Sequence, residues 1–346
     1  MHKGKKADTP LNLRHKVKLA TWNVMTLAGI GYEVALIREL ARLKLPLVGI
    51  TEARILGSGS GRVEGATLLH SGGNDHTHGV ALVAQPPFCH ALTSWQPISD
   101  RLLTARLVHK HGHLTAIVAY APTEPADDHT KDNFYNQLSA ATQSVPPHDV
   151  LVVLGDFNAV CGDILSDDGK VGPHGSGIMN DNSDRMVTYC GMHNLILPGT
   201  WFKRLDIRRW TWYSHDGSTR KESDHIITRE RDKGLFKSHR TFRGAEAPAN
   251  TDHVLLVAEL CLTLLKPRKK PDSSSIFDIP RLLEDSTLQQ QYSVTVQNTF
   301  AQLSTQTMLM IVGMHSVRSS NPLPTKPSAL RRGHDNRRCL RTRLLS

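Results

Sequence analysis

Residues Val150 to Asn158 read VLVVLGDFN, an apolar run closed by Gly155, Asp156, Phe157 and Asn158. Bounded by Pro146 and Pro147 before and Gly155 after, the run has the length and β-branched content of a buried central strand. Asp156 and Asn158 stand two residues apart, so on an extended backbone their side chains leave from the same face. A carboxylate and an amide side by side at a rigid strand end can grip a hard cation or a water. Alone, the same letters also describe a strand-to-turn break with Asn as turn former. The surroundings decide.

Upstream, Val17 to Thr21 reads as a short strand ending at Trp22 and Asn23. Tyr32 to Leu45 carries Val34, Ile37, Leu40, Ala41 and Leu45 at helical spacing, and Pro46 stops the helix. Leu47 to Ile50 supplies a second strand, ending at Thr51 and Glu52. Ser58 to Gly65, SGSGRVEG, lacks the Lys-Ser/Thr ending of a P-loop and the spacing of a dinucleotide fingerprint, so it reads as a flexible loop. Gly79 to Ala84, Leu102 to Val108 and Leu114 to Tyr120 read as strands of a meander, the last ending at Tyr120. Asp132 to Thr142 follows as an amphipathic helix.

Downstream, Cys161 to Asn182 is polar and glycine-rich and reads as loop, and Asp184 to Gly191 as a short helix closed by glycine. A basic, tryptophan-rich ribbon with a hairpin turn at Asp216 and Gly217 runs into Asp224, just before Ile226 and Ile227. Thr251, Asp252 and His253 open the last strand, VLLVAEL. Each strand end thus carries a polar residue: Asn23, Glu52, Tyr120, Asp156 with Asn158, Asp224, and Asp252 with His253. Singly, each is an ordinary structural residue; jointly, all at the ends of apolar runs, they are hard to produce by chance.

The chain has 346 residues and 39% apolar content, room for one large domain with extensions. No run approaches the ~18 apolar residues of a membrane span, and the basic start MHKGKKADTP has no apolar signal region. An intracellular protein, nuclear or cytoplasmic, not secreted and monomeric, is expected. Five cysteines without a C-x-x-C pair indicate neither a disulfide framework nor a zinc site. Of the net charge of +10, residues 1–18 contribute +5 and residues 266–346 contribute +8, while the stretch between is −3. Residues 203–243 nonetheless hold 12 basic and 6 acidic side chains, which suits a polyanionic partner as well as a solvated face. The expected organisation is a basic leader over 1–16, one domain over 17–262, and a basic linker and largely disordered tail over 263–346, with one polar helix over Leu282 to Leu303.

The order TWN, TEA, YAP, GDFN, SDH, TDH resembles the endonuclease/exonuclease/phosphatase family, the DNase I and apurinic endonuclease fold. APTEPADDHTKDNFYNQL, TWFKRLDIRRWTW and WYSHDGSTRKESDHI are further similar to the endonuclease domains of RTE-type non-LTR retrotransposons and their craniofacial development protein 2-like relatives. The resemblance covers about residues 17 to 262 and extends faintly into FDIPRLLED, the segment that precedes a reverse transcriptase in such elements. It implies a four-layer α/β sandwich, two mixed sheets flanked by helices, with the active site at the strand ends. It also implies metal-dependent nicking of duplex DNA.

By the same resemblance Glu52 is the main ligand of Mg²⁺ or Mn²⁺, with Asn23 and Asp252 completing or backing the shell. Asp156 activates the attacking water, Asn158 holds phosphate or water beside it, and Tyr120 donates to a non-bridging oxygen. His253 faces the scissile phosphate and Asp224 orients its other ring nitrogen. In the ribbon, Arg208, Arg209, Trp210, Arg220 and Lys221 are the expected DNA contacts, while Trp212 is expected to fill the core. Ser223 departs from the family, where an apolar residue precedes the Asp. A phosphoesterase acting on RNA or on a small phosphorylated ligand is the competing activity, and a non-catalytic DNA-binding or chromatin-associated protein the competing class.

Overall fold

Two β-sheets lie face to face in the computed structural model, which describes residues 16–109, 112–162 and 169–261. The leader before Lys16, the linker, the tail and the helix expected over Leu282 to Leu303 lie outside the described residues. In chain order the first half comprises β1 (Val17–Asn23), α1 (Tyr32–Arg42), β2 (Leu47–Thr51), β3 (Ser58–Val63), β4 (Ala66–Ser71), β5 (Val80–Ala84), β6 (Leu92–Ser99), β7 (Leu102–His109), β8 (Gly112–Tyr120) and α2 (Asp128–Ser144). The second comprises β9 (Val150–Asp156), α3 (Asp181–Met192), β10 (Leu195–Ile196), β11 (Trp212–Tyr213), β12 (Arg220–Lys221), β13 (Asp224–Arg229), β14 (Phe236–Phe242) and β15 (Leu255–Leu260).

One sheet runs β14-β15-β1-β2-β5-β4-β3 and the other β10-β13-β9-β8-β7-β6, with β11 and β12 a separate hairpin. Each is mixed, since β1 pairs parallel with β2 and β8 parallel with β9 while their other neighbours run antiparallel. Strand alternation divides the apolar residues into layers. Leu19, Leu47, Leu82, Val118, Val152 and Leu154 meet between the sheets. Leu36, Ile37 and Leu40 of α1 cover the far side of the first sheet, and Phe134, Leu138, Met186 and Tyr189 of α2 and α3 cover that of the second. This is the expected four-layer α/β sandwich. Among the described residues no helix is long and apolar enough to cross a membrane.

Two glycines allow close approach, Gly49 between the sheets and Gly155 between neighbouring strands of one sheet. A Cβ on Gly49 would stand 3.0 Å from Leu154 Cβ, and one on Gly155 would stand 1.7 Å from the Ala119 carbonyl oxygen. Gly155 therefore lets β9 lie against β8 one residue before Asp156.

Several expectations are corrected. Ser58 to Gly65 is a strand rather than a loop: β3 is a mostly exposed edge paired to β4 through a turn with Glu64 and Gly65 at φ 49° and 81°. An edge strand facing water needs no apolar alternation, so the sequence carried no strand pattern there. On the opposite edge, β14 does have a buried face, but His239 and Thr241 on it are polar, so it too shows no apolar alternation. The meander is also revised, because β5 lies between β2 and β4 while β7 and β8 belong to the other sheet, with the unanticipated β6 at its rim. The helix α1 stops at Arg42 because Lys44 adopts φ 56° and Leu45 folds back onto the Leu40 carbonyl. Conversely α2 starts at Asp128, capped by Asp127 accepting from the Thr130 amide at 2.8 Å. Asn180 and Ser183 form a capping box that starts α3 at Asp181, and the helix continues through Gly191.

Candidate active site

The site grows out of strand alternation. Along β9 the side chains of Val150, Val152 and Leu154 point into the layer between the sheets, and the next residue of that parity is Asp156. The same parity on β8 runs Leu114, Ala116, Val118, Tyr120, and on β1 it runs Val17, Leu19, Thr21, Asn23. The register sets Tyr120 and Asp224 opposite Asp156 on its two sides. Four columns of the inner core therefore end in polar side chains at one edge of the sandwich. Sheet packing brings them together, and each is buried, Asn23, Asp156 and Asp224 at 1% exposure each.

Asn23 is the junction. Its Nδ2 donates to Glu52 Oε1 at 2.9 Å and to Asp156 Oδ2 at 3.0 Å, while its Oδ1 accepts from the Met25 amide. Thus Asn23 turns N–H rather than oxygen toward the site and bridges two carboxylates. Glu52 lies just beyond β2 at φ 51°; its Oε1 also accepts from the Tyr120 hydroxyl at 3.0 Å and its Oε2 from Arg54 at 2.6 Å. Burial, then the charges of Glu52 and Asp156, push the Tyr120 phenol well above its usual range, so it remains a donor.

His253 completes the group. Its Nδ1–H donates to Asp224 Oδ2 at 2.9 Å and its Nε2 stands 3.7 Å from Asp156 Oδ2. Thr251 Oγ1 donates to the Asn23 carbonyl and accepts from the His253 amide, and Thr211 Oγ1 accepts from the amides of Ser223 and Asp224. Burial works against the charged imidazole, but the Asp224 and Asp156 carboxylates outweigh it and raise His253 to about 9. Burial and then the Asp224 charge push Asp156 up to about 7, opposed by His253.

The ligand atoms of Asp156, Asp224 and His253 all lie within 4.8 Å of one another, and Asp224 Oδ1 is buried without a hydrogen-bond partner among the described residues. Glu52 joins this group through Asn23, and Asp252 Oδ1 lies 3.9 Å from His253 Nε2. The acidic donors are all oxygens, the chemistry a hard divalent cation takes.

Three expected positions differ. Asn158 does not share the face of Asp156 by alternation, because the strand ends at Asp156 and Asn158 adopts φ 49°. Its amide N–H instead donates to Asp156 Oδ1 at 2.9 Å and its side chain to the Ala121 carbonyl. Trp212 is not core: its indole donates to Asp252 Oδ2 at 2.8 Å, and with Lys221, Asn158 and His253 it lines a groove of about 230 Å³. The buried tryptophan is Trp22, whose indole holds the His253 carbonyl. Arg209 faces inward, paired at 3.1 Å with Glu222, the two side chains 10% and 4% exposed, and so offers no free cation to phosphate. The remaining ribbon residues stack, Arg220 over the Trp210 ring and Lys221 over Trp212, while Arg208 lies in a separate basic groove.

The sequence reading missed Arg101 and His78. Arg101 lies 5.0 Å over the Tyr120 ring and donates to the Tyr120 carbonyl. It also donates to His78 Nε2 at 2.7 Å, whose Nδ1–H donates to Asp100 at 2.9 Å. Neither residue ends an apolar run or belongs to the basic, tryptophan-rich ribbon.

The sequence profile of the Endonuclease/Exonuclease/phosphatase family matches residues 20–256. The chain belongs to this family. Within the endonuclease/exonuclease/phosphatase family it is 30% identical to craniofacial development protein 2 of Bos taurus over 281 residues, 81% of this chain and 46% of that protein. The chain therefore spans less than half the length of this curated relative. Its fold is similar to the endonuclease domain of TRAS1, a telomere-specific non-LTR retrotransposon, with a TM-score of 0.52 at 14% identity over 70% of this chain and 98% of that one. It is also similar to the 3' phosphatase NExo from Neisseria bound to product DNA hairpin, with a TM-score of 0.53 at 18% identity over 70% and 99%. Family and fold support a phosphodiesterase-type enzyme, a nuclease or phosphoesterase.

Proposed function

We propose that this endonuclease/exonuclease/phosphatase chain is a divalent-metal-dependent endonuclease that nicks duplex DNA, and that it derives from a non-LTR retrotransposon. The observation that carries this reading is the Asp224–His253–Asp156 cluster, tied through Asn23 to Glu52 and Tyr120 at one end of the inter-sheet core. Likeness of fold to a retrotransposon endonuclease domain supports the origin, and a structural neighbour bound to product DNA supports the substrate.

Glu52 and Asp252 would hold Mg²⁺ or Mn²⁺, with Asn23 backing them by fixing the Glu52 carboxylate. Bound there, the cation would neutralise charge on the phosphate. Asp156, held by the Asn23 amide and the Asn158 backbone, orients an attacking water and takes its proton. His253, kept in one orientation by Asp224, presents Nε2–H to a non-bridging oxygen, and Tyr120, whose one O–H donates to Glu52 in this structure, would turn it to another. Trp212 and Lys221 flank this point, placing an aromatic face and a cation where a DNA strand would enter.

Conversion of supercoiled plasmid to open circles by the full chain tests the reading. Nicking should require Mg²⁺ or Mn²⁺, stop with chelator, and vanish in Asp156→Ala and His253→Ala variants that remain folded. A folded, metal-supplied protein that leaves plasmid intact would overturn it.

A further inference from the structure

On the β14 side of the seven-stranded sheet lies a groove of about 560 Å³ lined by Lys16, Lys203, Arg204, Arg208, Lys237 and Arg240, with Glu259 its one acidic residue. Lys16 lies 3.4 Å from Glu259, and Arg204 is held by the His239 carbonyl and Ser238. Among the described residues no carboxylate pairs with Lys203, Arg208 or Arg240, and all three are exposed. Leu205 and Ile207 beside them are 75% and 48% exposed.

Cations on an edge strand commonly prevent edge-to-edge pairing, and that accounts for Lys237 and Arg240. It does not account for Lys203, Arg204 and Arg208, which come from a different segment and converge on the same groove. Five cations remain after Glu259 is matched with Lys16, an excess that complements a row of phosphates.

The groove is separate from the reaction centre. Register places Arg240 level with Ala20 and Phe236 level with Val17, through β15. At ~3.3 Å per residue that is about 10 to 20 Å down the strand from Asn23, a reach of about three to six nucleotide steps at ~3.4 Å each.

We propose that this groove binds the phosphodiester backbone of DNA flanking the cleaved bond, a second contact that only a sufficiently long substrate reaches. The inference rests on DNA being the substrate. Its test reads binding alone, in the full chain carrying Asp156→Asn, with duplexes of about 40 and about 4 base pairs, the short one closed as a hairpin, over a salt series.

Adding Lys203→Ala, Lys237→Ala and Arg240→Ala should weaken binding of the long duplex about tenfold near 0.1 M salt. The slope of log affinity on log salt should fall by about 3, and the short duplex should lose less than about twofold. A control chain with Arg38→Ala, Lys44→Ala and Arg62→Ala removes as many exposed charges elsewhere. Equal losses on both lengths, no loss on either, or the same loss in the control would overturn the proposal. Wild-type nicking is measured beside it. Length-dependent binding without nicking sinks the endonuclease reading and keeps the groove, whereas nicking without length-dependent binding does the reverse.

Discussion

Thr251 and Asn23 are joined across 228 positions of sequence: the Thr251 hydroxyl donates to the Asn23 carbonyl at 2.8 Å and accepts from the His253 amide at 3.1 Å. One side chain thus ties the residue that bridges the carboxylates to the histidine opposite. Thr251→Val keeps the shape and removes both bonds. It should lower the nicking rate about 10- to 100-fold, since small misplacement of reacting groups is costly, while thermal stability falls by only about 1–3 kcal/mol. Plasmid nicking rates and thermal melts on the same preparation decide this.

Tyr120→Phe removes the donor to Glu52 and should reduce kcat by about 10- to 100-fold with little change in KM, if the hydroxyl acts on the transition state. Arg101→Met removes the cation over the Tyr120 ring and leaves His78 Nε2 without its donor. It should reproduce part of the Tyr120→Phe loss, and the double variant should be no worse than Tyr120→Phe by more than about twofold, the non-additivity expected of residues acting as a unit.

Arg209 and Glu222 form a buried pair also touched by Ser176, whose hydroxyl donates to Glu222 Oε2. Removing one partner strands a charge, so Arg209→Ala should destabilise the fold by about 3–5 kcal/mol and leave the salt dependence of DNA binding essentially unchanged. Urea unfolding and a binding titration separate this from a phosphate-contact role, which would show the opposite pattern.

His239 is 5% exposed, its Nε2 has no hydrogen-bond partner among the described residues, and burial pushes the imidazole down to about 3. Its folded value therefore lies below that of the unfolded chain, about 6.5. Below that pH the unfolded chain takes up a proton that the folded protein refuses, so stability falls as pH drops toward about 3. Between pH 7 and about pH 5 this one residue should cost about 2 kcal/mol. His239→Gln should lose correspondingly less over the same interval in urea unfolding, whatever its stability at neutral pH.

The strands that bear the site were legible because each is wholly buried on one face and ends abruptly at a polar residue, as at Ala119-Tyr120 and Leu154-Gly155-Asp156. Strands at the sheet rims were not. β3 is mostly exposed, and β14 buries the polar His239 and Thr241 on its inner face, so no apolar alternation marks either. Arg101 and His78 escaped for a related reason: Arg101 lies over the Tyr120 ring and His78 holds Arg101, contacts that no local pattern encodes.

By itself the sequence determined which side chains close the buried strands, since a run of apolar residues can stop at Asn23, Tyr120, Asp156 or Asp224 only where the core meets solvent. It also carried the family membership through the order of those endings. The tertiary structure alone decided how each is used. Asn23 faces the site with its N–H because Met25 occupies its oxygen, and Arg209 is withdrawn from phosphate because Glu222 lies buried beside it. Trp212 leaves the core to hold Asp252. Those outcomes depend on which partners reach hydrogen-bonding distance when distant segments pack, and sequence spacing carries no such distances.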